Sequence, residues 1–146
     1  MPAGDLVTAD YHFELRSVLM GAGSLYELLP DGLTGFGVPS LKTADVSMLH
    51  ADGSYAAPDY LDVRTIRIAV EISRSTGALA MQDFDALVAA WAPATTNVPL
   101  YFRLPYWGKK YVNGRPRGLT ENLSLVGFGI IRAFGTFEAL DPAIRT

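Results

Sequence analysis

Cysteine is absent from this chain of 146 residues, which excludes disulfides, thiolate-bound metal and a cysteine nucleophile. Histidine is scarce. His12 and His50 are the two present, and neither stands in a short His/Asp/Glu spacing that would gather several ligands on one metal. The segment Met1 to Asp10 has no lysine or arginine. It therefore lacks the basic region, apolar stretch and small-residue site of a secretory signal, and no export is expected. Apolar residues make up 49% of the chain, yet no uninterrupted run approaches the ~18 residues of a membrane-spanning helix, so a soluble protein is expected. No serine occupies a Gly-x-Ser-x-Gly turn: Ser24, in Gly21-Ala22-Gly23-Ser24-Leu25, does not meet that pattern. The glycine-rich stretches Gly21 to Gly23 and Gly32 to Gly37 precede neither a Lys-Ser/Thr pair nor a clear helix, and loop freedom explains them better than phosphate cradling.

Carboxylates are missing from one long interval, and that gap gives the charge its pattern. Between Asp85 and Glu121 there is none, while Arg103, Lys109, Lys110, Arg115 and Arg117 fall inside it, a local +5 in a chain of net charge −3. The remainder carries −8. The overall balance is too small to argue for general affinity for nucleic acid or membrane, which needs clustered positive charge over the whole protein. Aromatic residues interleave with the basic ones: Tyr101, Phe102, Tyr106, Trp107 and Tyr111. Such a mixture could stack bases or sugars beside bound phosphate. It is equally the composition of interface anchors, and the interface reading is the stronger. Paired carboxylates such as Asp59 with Asp62, or Asp83 with Asp85, are expected by chance among 15 acidic residues. Asp83 reads as a favourable carboxylate in the first turn of a helix.

Periodicity divides the chain into strands and one helix. Tyr11 to Met20 predicts the first strand. A glycine-rich arm from Gly21 to Gly53 follows, with a short apolar stretch Ser24 to Leu29 as a possible second strand. At ~30 residues the arm exceeds an ordinary connection, so a functional loop or an arm docking on a neighbour is expected. Leu61 to Ser73 is the clearest strand, with Ile66, Ile68, Val70 and Ile72 alternating onto one core face. After a turn at Ser75-Thr76-Gly77, Met81 to Trp91 places Phe84, Leu87, Val88 and Trp91 at helical spacing, stopped by Pro93. Val98 to Leu104 is a strand, Pro105-Tyr106-Trp107-Gly108 a turn, and Lys109 to Val112 a strand leading to Asn113-Gly114, a hairpin-turn signal. Pro116 marks an edge or a break. Two last strands, Asn122 to Val126 and Ile130 to Ala139, end at Asp141-Pro142. The sum is an α+β fold, mostly antiparallel strands in a sandwich or split barrel with one packed helix, as a single domain over residues 1–146.

The order of these features resembles the amino-terminal domain of distal tail proteins of long-tailed siphophages, often called minor tail proteins. The resemblance is carried by the amino-terminal strand, the glycine-rich arm, the Arg64-Thr65-Ile66-Arg67-Ile68-Ala69-Val70 strand, the helix ending in Trp91, the Asn113-Gly114-Arg115-Pro116-Arg117 segment and the closing Phe137-Glu138-Ala139-Leu140-Asp141-Pro142. It implies a structural virion component and not an enzyme. Such a domain would assemble as a six-membered ring beneath the tail tube, join it to the tip or baseplate hub, and leave a channel through which DNA passes without specific binding. Assembly in the host cytoplasm, location in the virion tail and no membrane contact are implied with it. Many relatives carry a second, carbohydrate-binding-like domain after the Asp-Pro strand end. None follows here, so a connector is expected before a host-recognition role.

No catalytic, cofactor-binding or metal-binding residues are expected. The expected interface residues are Tyr106, Trp107, Lys109, Lys110, Asn113, Arg115 and Arg117, together with the glycine-rich arm. Charge asymmetry suggests that this basic hairpin meets an acidic surface of a neighbouring subunit, of the tube or of the hub, with an acidic face left toward the channel. The alternative function is a carbohydrate-binding module that uses Tyr106 and Trp107 as a platform.

Overall fold

The computed structural model describes residues 3–38 and 63–146, together with the backbone of four short strands at Leu41–Lys42, Val46–Ser47, Ser54–Tyr55 and Tyr60–Leu61. In chain order the strands are β1 (His12–Leu15), β2 (Val18–Gly21), β3 (Tyr26–Thr34), the four short ones β4 to β7, β8 (Arg64–Ser73), β9 (Val98–Leu104), β10 (Gly108–Asn122) and β11 (Ile130–Ala139). Helix α1 (Gly77–Ala90) joins β8 to β9, and a 3-10 turn (Val126–Phe128) joins β10 to β11. The principal sheet is seven-stranded, in the order β2-β1-β9-β10-β11-β8-β3, and every pairing in it is antiparallel. The expected α+β class, antiparallel strands with a packed helix, is the observed one.

β10 organises the sheet. Its first half, Gly108 to Gly114, pairs with β9, and its second half, Arg115 to Asn122, pairs with β11. The strand is thus handed from one half-sheet to the other, with a register shift between Pro116 and Gly118. Such a bulge bends a strand and raises its twist, which is how one strand serves both walls of a split barrel. Asn113-Gly114 is consequently not a turn but the middle of this strand. The real reversal is one turn earlier, at Pro105-Tyr106-Trp107, where Leu104 pairs with Gly108. Pro116 does mark an irregular edge position, since β9 no longer pairs with β10 there.

The inner faces of the two half-sheets supply the core: Phe13, Leu15, Leu100, Phe102 and Val112 from one, Ile66, Ile68, Val70, Ile72, Ile131 and Phe137 from the other, all buried. The alternation expected for Ile66 to Ile72 is exact in the burial of β8. α1 closes the open side with Ala80, Phe84, Leu87 and Trp91. Val88, expected on that face, is 45% exposed, because it lies one residue, or about 100°, round from Leu87.

Local chemistry moved several boundaries. The stretch read as one strand, Tyr11 to Met20, is a hairpin: Arg16 and Ser17 both take positive φ, 48° and 66°, and Leu15 pairs with Val18. A two-residue turn of that hand fits strand twist, although neither residue type announces it. Its tip has a structural task, since Arg16 Nη1 donates to the carbonyls of Ala90 (3.3 Å) and Ala92 (2.7 Å) at the carboxyl end of α1. Those carbonyls lack helical partners and favour a cation. α1 also starts earlier than expected, capped by Thr76, whose hydroxyl accepts from the Leu79 amide at 3.3 Å. Asp83 is therefore mid-helix and not in the first turn; it is held by an ion pair with Arg74 at 3.0 Å. Asn122 to Val126 is not a separate strand: β10 ends at Asn122, whose Oδ1 accepts from the Ser124 amide at 3.0 Å and turns the chain into the 3-10 turn.

The first part of the glycine-rich arm is an edge strand, β3, paired with β8 on both sides of a bulge over Leu29 to Gly32, where Asp31 has φ 57°. The arm beyond residue 38, His50, Asp59 and Asp62 lie outside the described residues, apart from strand backbone. His12 lies at the start of β1. Its Nδ1 accepts from the amides of Thr8 and Ala9 (both 3.3 Å), and its Nε2 faces the Ala22 carbonyl at 3.0 Å, so the ring fastens two turns.

One buried hydroxyl yields a pH prediction. Tyr26 donates to the backbone carbonyl of Asp83 at 2.5 Å, and burial, reinforced by the charge of Asp83, pushes the phenol up to about 12. A raised acid pKa means the folded state holds its proton longer than the unfolded chain. The contribution is complete below about pH 10 and is lost as pH climbs through 12. Thermal unfolding followed from pH 9 to 12 is expected to fall more steeply for the wild type than for Tyr26→Phe. Parallel curves would remove the phenol from the account.

Candidate interaction surface

Three segments distant in sequence converge beside the β9–β10 turn. The first is the turn itself, in which Tyr106, at φ 63°, is fully exposed and Trp107 is 40% exposed. The second is the segment after β3: Phe36 sets its ring edge-on to Trp107, centroids 6.4 Å apart, and Val38, two residues on, is 82% exposed. The third precedes β1, where Tyr11 donates its amide to the Arg103 carbonyl at 2.7 Å and leaves its side chain 47% exposed. Beneath them Phe13, Phe36, Phe102 and Trp107 form one aromatic cluster with neighbouring centroids 4.8–6.4 Å apart.

Arg64 keeps the second segment in place. This buried guanidinium donates from Nε to the Pro142 carbonyl (3.0 Å) and from Nη1 to the carbonyls of Gly35 (2.8 Å) and Gly37. Burying a charge is costly unless its donors are satisfied, and carbonyl dipoles satisfy these. The clamp ties the loop carrying Phe36 and Val38 to the start of β8 and to the segment after β11.

The basic residues share no single role. Lys110 Nζ lies 5.4 Å from the Trp107 ring centre and Lys109 Nζ 5.7 Å from that of Tyr101. Arg103 pairs with Asp10 at 3.2 Å and Arg117 with Glu138 at 3.4 Å, both carboxylates from outside the basic interval. Arg115 donates from Nη2 to the Thr95 carbonyl at 3.2 Å, while its buried Nε has no hydrogen-bond partner among the described residues. Asn113 is half-buried in mid-strand opposite Pro99. Of the expected interface residues, the fold brings together Tyr106, Trp107, Lys109 and Lys110. Asn113, Arg115 and Arg117 lie further along β10, Arg115 roughly 20 Å from Lys109 at strand spacing. Tyr11, Phe36 and Val38 were not foreseen, since nothing local to them signals an association that tertiary structure creates.

Two further surface features stand out. Leu123, Leu125 and Phe128 form an exposed apolar group at the far end of β10, with Phe128 77% exposed. Beside β3 an open groove of about 630 Å³ is lined by Tyr11, Leu28, Leu29 and Leu33, with Glu27 and Asp31 contributing carboxylates. Among the described residues no group of three or more His, Asp or Glu is placed to hold a metal ion, and no helix is long and apolar enough to cross a membrane.

The fold described above, a seven-stranded antiparallel sheet with one packed helix, has solved counterparts among phage hub and baseplate proteins. Specifically, the chain is similar in fold to the Dit protein (gp 19.1) of phage SPP1, presented as a paradigm of the hub adsorption apparatus in phages infecting Gram-positive hosts. The TM-score is 0.71 at 16% identity, over 91% of this chain and 51% of that one. It is also similar to a chain of the phage P2 baseplate in its activated, calcium-containing conformation: TM-score 0.65, 9% identity, over 88% of this chain and 44% of that one. This chain thus spans about half the length of each. No protein-family profile and no curated protein matches the sequence. The fold agrees with the resemblance drawn from the order of sequence features.

Proposed function

We propose that this protein is a structural component of a long-tailed phage virion, in which copies of the chain form a six-membered ring connecting the tail tube to the tip or baseplate hub. The carrying observation is the fold likeness to the SPP1 and P2 proteins across about nine-tenths of the chain. Its partners on this reading are other copies of itself, the tube protein and the hub or tip protein, with DNA passing through the channel without specific binding. The virion tail is its location and the host cytoplasm its place of assembly. It works by association and not by catalysis.

The exposed surface supports an associative role. Contiguous exposed aromatic and apolar side chains are the usual mark of an interface, and here they occur at both ends of one strand, around Tyr106 and around Phe128. The carbohydrate reading fares less well, because Trp107 already has Phe36 on its edge and the Lys110 ammonium over its ring. A sugar stacking on the face of Trp107 under Lys110 would have to displace that cation.

Native mass measurement of the purified chain, combined with immunogold labelling of intact particles, tests the proposal. A sixfold mass and label at the tube–tip junction are expected. A stable monomer excluded from tails would overturn the reading, and glycan binding by that monomer would favour the alternative.

A further inference from the structure

The groove beside β3 offers an acceptor for Tyr106, the most exposed large hydrophobic side chain among the described residues. Resting on the self-association reading above, we propose that the groove receives the β9–β10 turn of a second copy, with Tyr106 entering between Leu28, Leu29 and Leu33 while Lys109 and Lys110 meet Glu27 and Asp31.

Shape argues for a knob and against an added strand. β3 is the last strand of the sheet, so its outer edge is unpaired in the sheet. An open edge ordinarily invites strand addition, but Pro30 and the bulge that shifts register between Leu28 and Leu33 interrupt this one. What remains is a short apolar recess of about 630 Å³, within the size range of pockets that take small organic groups and ample for one phenol ring. Tyr106 is the matching projection: it is fully exposed and sits at φ 63°, a conformation that bulky residues rarely adopt. Trp107, anchored on Phe36 and Phe102, fixes the base of the projection.

Charge argues for the same match. Among the described residues Glu27 and Asp31 belong to no ion pair, and the groove lining contains no basic residue. On the hairpin, Arg103 and Arg117 are already paired with carboxylates of their own chain, whereas Lys109 and Lys110 lie over aromatic rings and have no ion pair among the described residues. Among the described residues, these two unpaired cations, on opposite faces of β10 at its start beside the turn, stand against two unpaired anions at the groove. Knob and groove share Tyr11 as a border but are not the same surface, so a copy that gives its knob to one neighbour and its groove to another makes a heterologous contact, whose repetition generates a ring or filament.

Four forms of the full chain test this: wild type, Lys109→Glu/Lys110→Glu, Glu27→Lys/Asp31→Lys, and the fourfold combination. Their self-association would be measured by sedimentation over a range of concentrations, with thermal melts to verify the fold. Each pair variant is expected to associate about tenfold or more weakly, and the fourfold form, its complementarity restored in reverse, to recover. Tyr106→Ser should weaken association without lowering Tm. Rings from the wild type together with undiminished association of both pair variants would overturn the groove contact alone. A wild type that stays monomeric at every concentration would overturn both the contact and the ring reading.

Discussion

Gly114→Ala is expected to destabilise the protein by about 3 kcal/mol or more, the upper range for overpacking a rigid site, and to lower Tm by roughly 10 °C. Gly114 is where β10 leaves β9 and joins β11. A Cβ built there would lie 2.1 Å from the Glu138 carbonyl oxygen and 2.6 Å from the Ala139 Cα. Both neighbours are backbone atoms of β11, a strand paired along its whole length with β8, so neither can retreat by a side-chain rotation. Gly118, four residues further on in the same strand, has open space around the corresponding position. Gly118→Ala therefore serves as the control and is expected to unfold near the wild-type temperature. Equal melting temperatures for the two variants would mean that the half-sheets do not meet at Gly114 as described.

The second large effect is expected at Trp91. Its ring lies on Gly135, where a Cβ would come within 2.4 Å of the indole, and its Nε1 donates to the Thr136 carbonyl at 3.1 Å. The residue is 6% exposed and joins α1 to β11. Trp91→Ala opens a cavity at this joint and should cost about 3–5 kcal/mol. Trp91→Phe keeps part of the ring but leaves the Thr136 carbonyl without its side-chain donor, a loss of about 1–2 kcal/mol. Urea titrations followed by far-ultraviolet circular dichroism would rank the three proteins. A Phe variant as unstable as the Ala variant would place the energy in the hydrogen bond and not in packing.

Legibility differed between element types for a physical reason. β8 and α1 could be read because each buries one face against the core, so their side chains record a period of two or of 3.6 along the sequence. The bounds that the sequence pattern predicts for β9 and β11 coincide with the observed ones for the same reason. The failures fall where the chain turns or changes partner. Arg16 and Ser17 make a tight turn without glycine or asparagine, and Asn113-Gly114, which has turn chemistry, lies in an uninterrupted strand. Tertiary pairing outweighed local preference in both cases. At Gly114 the preference exists because a strand passing between two others needs a residue without a side chain, a requirement that resembles a turn signal in one dimension.

The surface proposed for association divides in the same way. Tyr106, Trp107, Lys109 and Lys110 were recognisable as aromatic and basic residues on a turn, since composition alone marks interface anchors. Their partners Tyr11, Phe36 and Val38, and the groove beside β3, come from other segments and became neighbours only through the closure of the sheet.

By itself the sequence determined the absence of thiol chemistry, the α+β class, the inward faces of β8 and most of α1, and an order of features that resembles a distal tail protein. Those properties follow from residue types and spacings that burial or chemistry imposes locally. Tertiary structure alone decided that β10 spans both half-sheets, that Arg103 and Arg117 are neutralised within the chain, and that among the described residues Lys109 and Lys110 beside the turn and Glu27 and Asp31 at the groove are left without ion pairs. These depend on contacts between residues tens of positions apart, about which local periodicity carries no information.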